Sequence, residues 1–440
     1  MGEEELSEAI NVYEINPDDE ENYIPLLNYF RKEEHGSEND YSKLIKALAD
    51  TARSEVGRKF LVQQGVVKEI GDRKWEDNQE YLLQICRLGG NVCFEFPEGR
   101  TAILSSGILG KLADLMEFKL EQEQFLSSKI WMVLPSFLHN YCHENKSCLQ
   151  TIRPLSKILI SFFSSATLST SEDILNKVEN FVGFLSGLVQ HEGKLEFFSD
   201  QNLLSGLTHI LDVLKSETCI LSVLELFQEL FENEEICKLY ANNDSTTPVL
   251  RLTDGVCLIE SENEEKVNGI SEDVANKSLD VLALMSSHNS VVSIIIEISP
   301  PSPLYSSVTT WLSSPPSNHH LTTASLICGN ICTSDEACLQ LLNTSLPGFL
   351  IEKMSTQEES KVQHAVIGCL RNFAVCKDAR EQLINLGAVD KSCQMIKTLS
   401  EGADHTTSPK LLCFLRLISQ VLLFRKSEHS VFFIELTNPW

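Results

Sequence analysis

His139 and His143 stand four residues apart with Cys142 between them, a spacing that puts both imidazoles on one side of a helix, where they could share a metal ion. The metalloprotease form of that pattern needs Glu directly after the first His. Asn140 occupies that place, so a packed or exposed histidine pair is the plainer reading. Glu225, Glu229, Glu232, Glu234 and Glu235 crowd the segment SVLELFQELFENEEI, and the first three share a helical face by their i, i+4 and i+7 spacing. Paired acids can serve glycoside hydrolysis, but no substrate-cleft signature accompanies these. Two readings remain for the row: a solvent-facing surface, or a patch that lowers its own repulsion by binding a Lys/Arg-rich segment. The chain has no P-loop, no Gly-x-Gly-x-x-Gly and no Gly-x-Ser-x-Gly. Neither covalent catalysis nor a cofactor is expected.

A different chemistry is written into four short patterns: LGGNVC ending at Cys93, LHNYC ending at Cys142, CGNIC ending at Cys332 and LRNFA ending at Ala374. Each sets an Asn (Asn91, Asn140, Asn330, Asn372) near the middle of an apolar helix, where an unpartnered amide is costly. A carboxamide both donates and accepts, so a row of them can hold the main chain of an extended partner without reading its sequence. The alternative is that each Asn bonds the backbone of the neighbouring repeat.

The elements that must position these residues are repeats. Three decapeptides, VGRKFLVQQG from Val56, EGRTAILSSG from Glu98 and DAREQLINLG from Asp378, carry Arg third and Gly tenth. An aliphatic run follows each glycine, as a helix, a glycine turn and a second helix require. The first two copies are 42 residues apart, Asn91 to Asn140 is 49, and Asn330 to Asn372 is 42. That period matches armadillo or HEAT arrays. Val362, Ala365, Val366, Cys369, Leu370 and Phe373 form one helical apolar stripe, with His364, Gly368 and Asn372 as an i, i+4 row beside it. The expectation is an all-α, armadillo-type α-solenoid, a right-handed superhelix of about nine repeats over 41–425. The run Val291 to Ile298 is read as buried helix.

The formal charge of −26 is uneven. Residues 1–40 hold 13 acids against Arg31 and Lys32, and Asp254 to Asp273 hold seven against Lys266. The boundaries expected are an acidic, partly disordered segment at 1–40, the array at 41–425 with an acidic loop near 254–273, and a tail at 426–440. Such a surface favours basic partners and disfavours nucleic acid. The 14 cysteines include no Cys-x-x-Cys and lie mostly in apolar helical runs, as in a reduced core. No signal peptide, membrane-span pattern or myristoylation pattern is visible, and a cytosolic monomer that does not insert into membranes is expected.

Taken in order, the segments LLQICRLGGNVCFEFPEGRTAI from Leu82, LHNYCHEN from Leu138, LFENEEI from Leu230 and VQHAVIGCLRNFA from Val362 resemble the small-GTPase GDP dissociation stimulator family. The likeness covers most of Tyr41 to Gln420. It implies an armadillo array whose concave face receives the polybasic, prenylated C-terminal tail of Rho-, Rap- or Ras-type GTPases. By this resemblance Asn91, Asn140, Asn330 and Asn372 match groove asparagines, and Glu225, Glu232 and Glu234 match acidic positions. Arg87, Arg371, His364 and Ser334 complete the candidate groove, and Glu229 the candidate acidic patch. Gly187 stands where the family has another asparagine, and Ser334 replaces one a turn after Asn330. The chain looks shorter than its relatives at both ends, and its final SEHSVFFIELTNPW does not resemble them.

The resemblance implies a two-part grip, with acids attracting the basic tail, asparagines holding its backbone and an apolar pocket sheltering the lipid at up to ~0.8 kcal/mol per buried CH₂. Exchange would follow from tighter binding to the nucleotide-free GTPase, with tail binding surviving terminal shortening better than exchange. A rival on the same fold is a scaffold or import-adaptor-like peptide binder. Import adaptors pair a groove Trp with an Asn four residues on; here the preceding positions are Arg87, Ser136, Leu326 and Gly368.

Overall fold

In a computed structural model the described residues are 6–11, 20–32, 38–75, 78–119, 128–145, 148–165, 172–189, 191, 194–213, 216–242, 246–253, 271–298, 301–356, 359–401, 411–412, 414–416 and 419. Most of the expected acidic loop and the whole expected tail at 426–440 lie outside them.

Asparagine, serine and glycine punctuate a chain that is otherwise helical among the described residues. Asn78 accepts from the Tyr81 amide at 2.7 Å, and Ser54, Ser271, Ser302, Ser317 and Ser334 cap their helices in the same way. The tenth glycine of each decapeptide, Gly65, Gly107 and Gly387, has a φ of 74°, 72° and 90°, with open space where a Cβ would stand. The left-handed backbone, not crowding, selects glycine there.

The chain divides into two compact units, Met1–Glu229 and Leu230–Trp440, the boundary falling inside the helix Glu217–Phe231. In the first unit Glu38–Thr51, Gln79–Cys93, Ile130–Cys142 and Glu172–Leu188 pack side by side in chain order. A second row is made of Ile108–Lys119, Cys148–Ser165 and Gln201–Val213. In the second unit Glu272–Ser286, Asn318–Ile331 and Ser360–Val375 form one row, and Pro303–Ser313, Leu346–Thr356 and Ala388–Glu401 the other. Short helices such as Pro97–Ser106 and Lys377–Asn385 join the rows. This is the armadillo arrangement, in which each repeat buries its apolar stripe only against its neighbours. The stripe from Val362 to Phe373 is buried throughout, each large member contributing about 1.5–3 kcal/mol.

One local reading changes. The run Val291 to Ile298 is not one helix: Asn289–Ile295 ends at Ile296, whose backbone is extended, and Ile298 pairs with Pro301 in an isolated bridge. Pro301 has no amide hydrogen to give the Glu297 carbonyl, which accepts from the Ser302 amide at 2.8 Å instead. Within 1–40, Ile24–Phe30 is a helix that buries Leu26, Leu27, Tyr29 and Phe30. Arg31 grips Glu69 through two nitrogens at 2.6 and 3.1 Å, and the Arg73 guanidinium lies 4.1 Å from the Phe30 ring centroid.

No single described helix is long and apolar enough to cross a membrane. The pair Glu272–Ser286 and Asn289–Ile295 meets the length and composition together, but it bends by 116° and buries most of its large apolar side chains, among them Leu279, Leu282, Met285, Val291 and Ile295.

Candidate functional site

The four asparagines are not near helix middles. Each lies in the last turn of its helix, where carbonyls lack helical partners. That placement gives each amide a fixed job. Asn91 Nδ2 donates to the Ala49 carbonyl at 2.8 Å, Asn140 to Gly90 at 3.1 Å and Asn372 to Gly329 at 2.9 Å. Asn330 donates to Ser286 Oγ at 3.0 Å. Gly90 and Gly329 directly precede Asn91 and Asn330, so the bonds run rung to rung across adjacent helices, within each unit. All four side chains are half-buried.

One donor is thus spent on the neighbouring repeat, and the acceptor side is left. Among the described residues, Oδ1 of Asn91, Asn140 and Asn330 accepts no hydrogen bond, whereas Asn372 Oδ1 accepts from Arg371 at 2.9 Å. The two alternatives for these residues are therefore compatible, because one end of the amide braces the array while the other can meet a partner's N–H.

Further along the same helical face, Arg87 donates to Asp50 at 2.8 Å and to Gln84 at 2.6 Å, and Gln84 donates to Glu80 at 2.5 Å. Arg87 is thus held by Asp50, which sits one rung down, directly after Ala49. His364 and Gly368 are half-buried beside Asn372. Ser334 departs from its expected place: the Asn330 helix ends at Ile331, and Ser334 caps the next helix by accepting from the Ala337 amide at 3.2 Å.

Gly187 faces the imidazole of His139. A Cβ there would come within 2.8 Å of His139 Nδ1, so the imidazole takes the space that a side chain would need. Partial burial, then the nearby His143, holds His139 below the ordinary imidazole range. His143 is used differently, ending its helix with Nδ1 3.4 Å from Arg100 Nη2 and 4.0 Å from Glu144. No group of three His, Cys, Asp or Glu is placed to hold a metal among the described residues.

Glu225, Glu229, Glu232 and Glu234 are all exposed. Glu225 and Glu229 project from one helix of the first unit. Glu234 opens the helix Glu234–Asn242 of the second, where Ser290 donates to it at 2.5 Å and holds its carboxyl below the usual range.

The arginine of the decapeptide repeat has a role that spacing alone did not disclose. Arg58, Arg100 and Arg380 are buried, and each guanidinium serves helix-end carbonyls. Arg58 donates to Arg53 at 2.9 Å, Arg380 to Ala374 at 2.7 Å and Val375 at 3.3 Å, and Arg100 to Asn140 at 3.1 Å. Three copies at one repeat position next to a helix end were the available signal.

No family model matches the chain. Over 378 residues it is 24% identical to Rap1 GTPase-GDP dissociation stimulator 1-A of Xenopus laevis, covering 81% of this chain and 57% of that protein. Over 372 residues it is 21% identical to the GTPase-GDP dissociation stimulator vimar of Drosophila melanogaster, covering 82% and 56%. The chain thus spans little more than half the length of these curated relatives. A structure from work on a phosphorylation switch in the cadherin and β-catenin interaction matches with a TM-score of 0.55 at 12% identity, over 94% of this chain and 79% of that one, a likeness of fold alone. Repeat architecture and sequence similarity agree: the chain is an armadillo-repeat protein like the small-GTPase GDP dissociation stimulators.

Proposed function

We propose that this protein regulates small GTPases of the Rap, Rho or Ras type in the cytosol by holding the polybasic, prenylated C-terminal tail on its asparagine rungs. The observation that carries the reading is the set of half-buried amides whose Nδ2 is engaged within the array while Oδ1 of Asn91, Asn140 and Asn330 is open to a partner's main chain. The similarity to GDP dissociation stimulators over about four fifths of the chain supports the choice of partner. The exposed glutamates supply attraction for Lys and Arg without fixing a sequence. GDP release needs no general base. A protein that binds the nucleotide-free GTPase more tightly than the loaded one lowers nucleotide affinity by that difference.

The test is recovery of Rap- and Rho-type GTPases by the purified chain, each prenylated or not and with or without its basic tail. Labelled GDP release is followed in parallel. Tail-dependent recovery with accelerated release is the expected result. Equal recovery without the basic tail refutes the grip, and tail-dependent recovery with unchanged release leaves a carrier that is not an exchange factor.

A further inference from the structure

The braced asparagines share a register, and that register has one more member. Asn140 donates to the carbonyl of Gly90, which directly precedes Asn91, and Asn372 donates to that of Gly329, which directly precedes Asn330. Asn91 donates to the carbonyl of Ala49, so the residue in the matching place on the helix Glu38–Thr51 is Asp50. The row in the first unit is therefore Asp50, Asn91 and Asn140 on three adjacent helices, and a carboxylate opens it.

Asp50 is held at one oxygen. Its Oδ1 accepts from Arg87 Nη2 at 2.8 Å and lies 3.5 Å from Arg53 Nε. Among the described residues its Oδ2 accepts no hydrogen bond. Arg87 is fixed in turn, because Nη1 donates to Gln84 Oε1 at 2.6 Å and Gln84 Nε2 to Glu80 Oε1 at 2.5 Å. The Asp50 and Arg87 side chains are 26% and 22% exposed, whereas Arg53 is 66% exposed and stands mostly in water.

A carboxylate with one oxygen anchored and the other open suits a cation that also donates a hydrogen bond. Exposed glutamates such as Glu229 attract such a group only weakly, because water screens the pair and the side chain must be ordered on binding. Asp50 differs on both counts: it is partly withdrawn from water and already ordered by Arg87, so a charge-assisted bond to it is worth more.

We propose that Asp50 is the charged rung of the first unit, its Oδ2 taking the head group of one Lys or Arg of an extended partner whose main chain lies on Asn91 and Asn140. This rests on the asparagine grip proposed above and adds register to it. Amides that accept main-chain N–H groups hold any sequence in any frame, whereas one fixed carboxylate selects a basic residue at the helix Glu38–Thr51.

The test is titration of the purified full chain with a labelled peptide in which lysine alternates with serine, followed by fluorescence anisotropy. Asp50→Asn keeps the shape of the side chain and an oxygen for Arg87, and should weaken this peptide about tenfold, as loss of one charge-assisted bond predicts. The same peptide with glutamine for every lysine, titrated at the concentrations its own affinity requires, should bind Asp50→Asn and the parent equally. Glu98→Gln removes an equal charge from an exposed place in the first unit and should change lysine-peptide affinity less than about twofold. Arg87→Gln takes away the internal cation and should not weaken that peptide. Urea midpoints read any loss of stability separately.

Unchanged lysine-peptide affinity in Asp50→Asn, an equal loss in Glu98→Gln, an equal loss for the glutamine peptide, or the same loss in Arg87→Gln overturns the proposal. The asparagine grip stands through any of these if Asn91→Ala and Asn140→Ala still weaken the lysine peptide. A parent chain that binds no lysine peptide refutes both.

Discussion

Asn140→Ala removes an amide that braces the array at one end and is offered to a partner at the other. The brace is the 3.1 Å bond from Nδ2 to the buried Gly90 carbonyl. A neutral hydrogen bond of this kind contributes about 0.5–1.5 kcal/mol net, so the first unit should lose about 1 kcal/mol of stability, read as a lower urea midpoint. The offered end is Oδ1. If it accepts one N–H from a bound tail, its loss costs a further ~1 kcal/mol of binding, which is about fivefold in affinity. Asn91→Ala should do the same, and the double variant should weaken a labelled Lys/Arg-rich peptide about 25-fold by fluorescence anisotropy. Asn140 bonds the residue directly before Asn91, so some departure from additivity is expected. A lower urea midpoint in both single variants with unchanged peptide affinity would refute the partner role and leave the amides as internal struts.

Other outcomes follow from the same geometry. His139 and His191 are held below the ordinary imidazole value of 6.5, mainly by burial. The unfolded chain therefore takes up those protons first as pH falls, so their contribution to stability is complete above about pH 6.5 and is lost as pH drops toward the folded values. Urea midpoints between pH 7.5 and 5 should fall, and His139→Gln should flatten the slope. Arg380→Met should cost the second unit about 3 kcal/mol in urea unfolding, because two charge-assisted bonds to Ala374 and Val375 are lost. Arg380→Lys should restore less than half, since an ammonium lacks the planar fork. Gly387→Ala, at φ 90° with open space around it, should cost about 1–2 kcal/mol by the same measurement, an effect of backbone alone.

Much of the fold was legible because armadillo repeats solve the same packing problem several times in one chain. Recurrence exposes what each position must do. The stripe from Val362 to Phe373 could be read as one buried face from its 3.6-residue period, and Gly65, Gly107 and Gly387 as turn glycines from their shared place before an aliphatic run. Val291 to Ile298 misled because a short β-branched run carries no period of its own, and the run leaves the helix at Ile296 and closes on the bridge between Ile298 and Pro301.

The site was half legible. Sequence alone determined that an amide recurs where an apolar residue would pack more cheaply, and that Arg and Gly recur at the third and tenth places of three decapeptides. It could not say which end of the amide is spent, because that depends on how far the neighbouring helix's last carbonyl lies from the side chain. Only tertiary packing decided that Nδ2 goes to Ala49, Gly90 and Gly329, that Arg58, Arg100 and Arg380 close helix ends, and that Ser334 caps a helix instead of continuing the row. Gly187 makes the point most simply: one residue reads as a gap in a pattern, and the space beside it is filled by His139 from another helix. Periodicity fixes which face a residue occupies, whereas hydrogen bonds between rungs are set by distances between helices far apart in the chain.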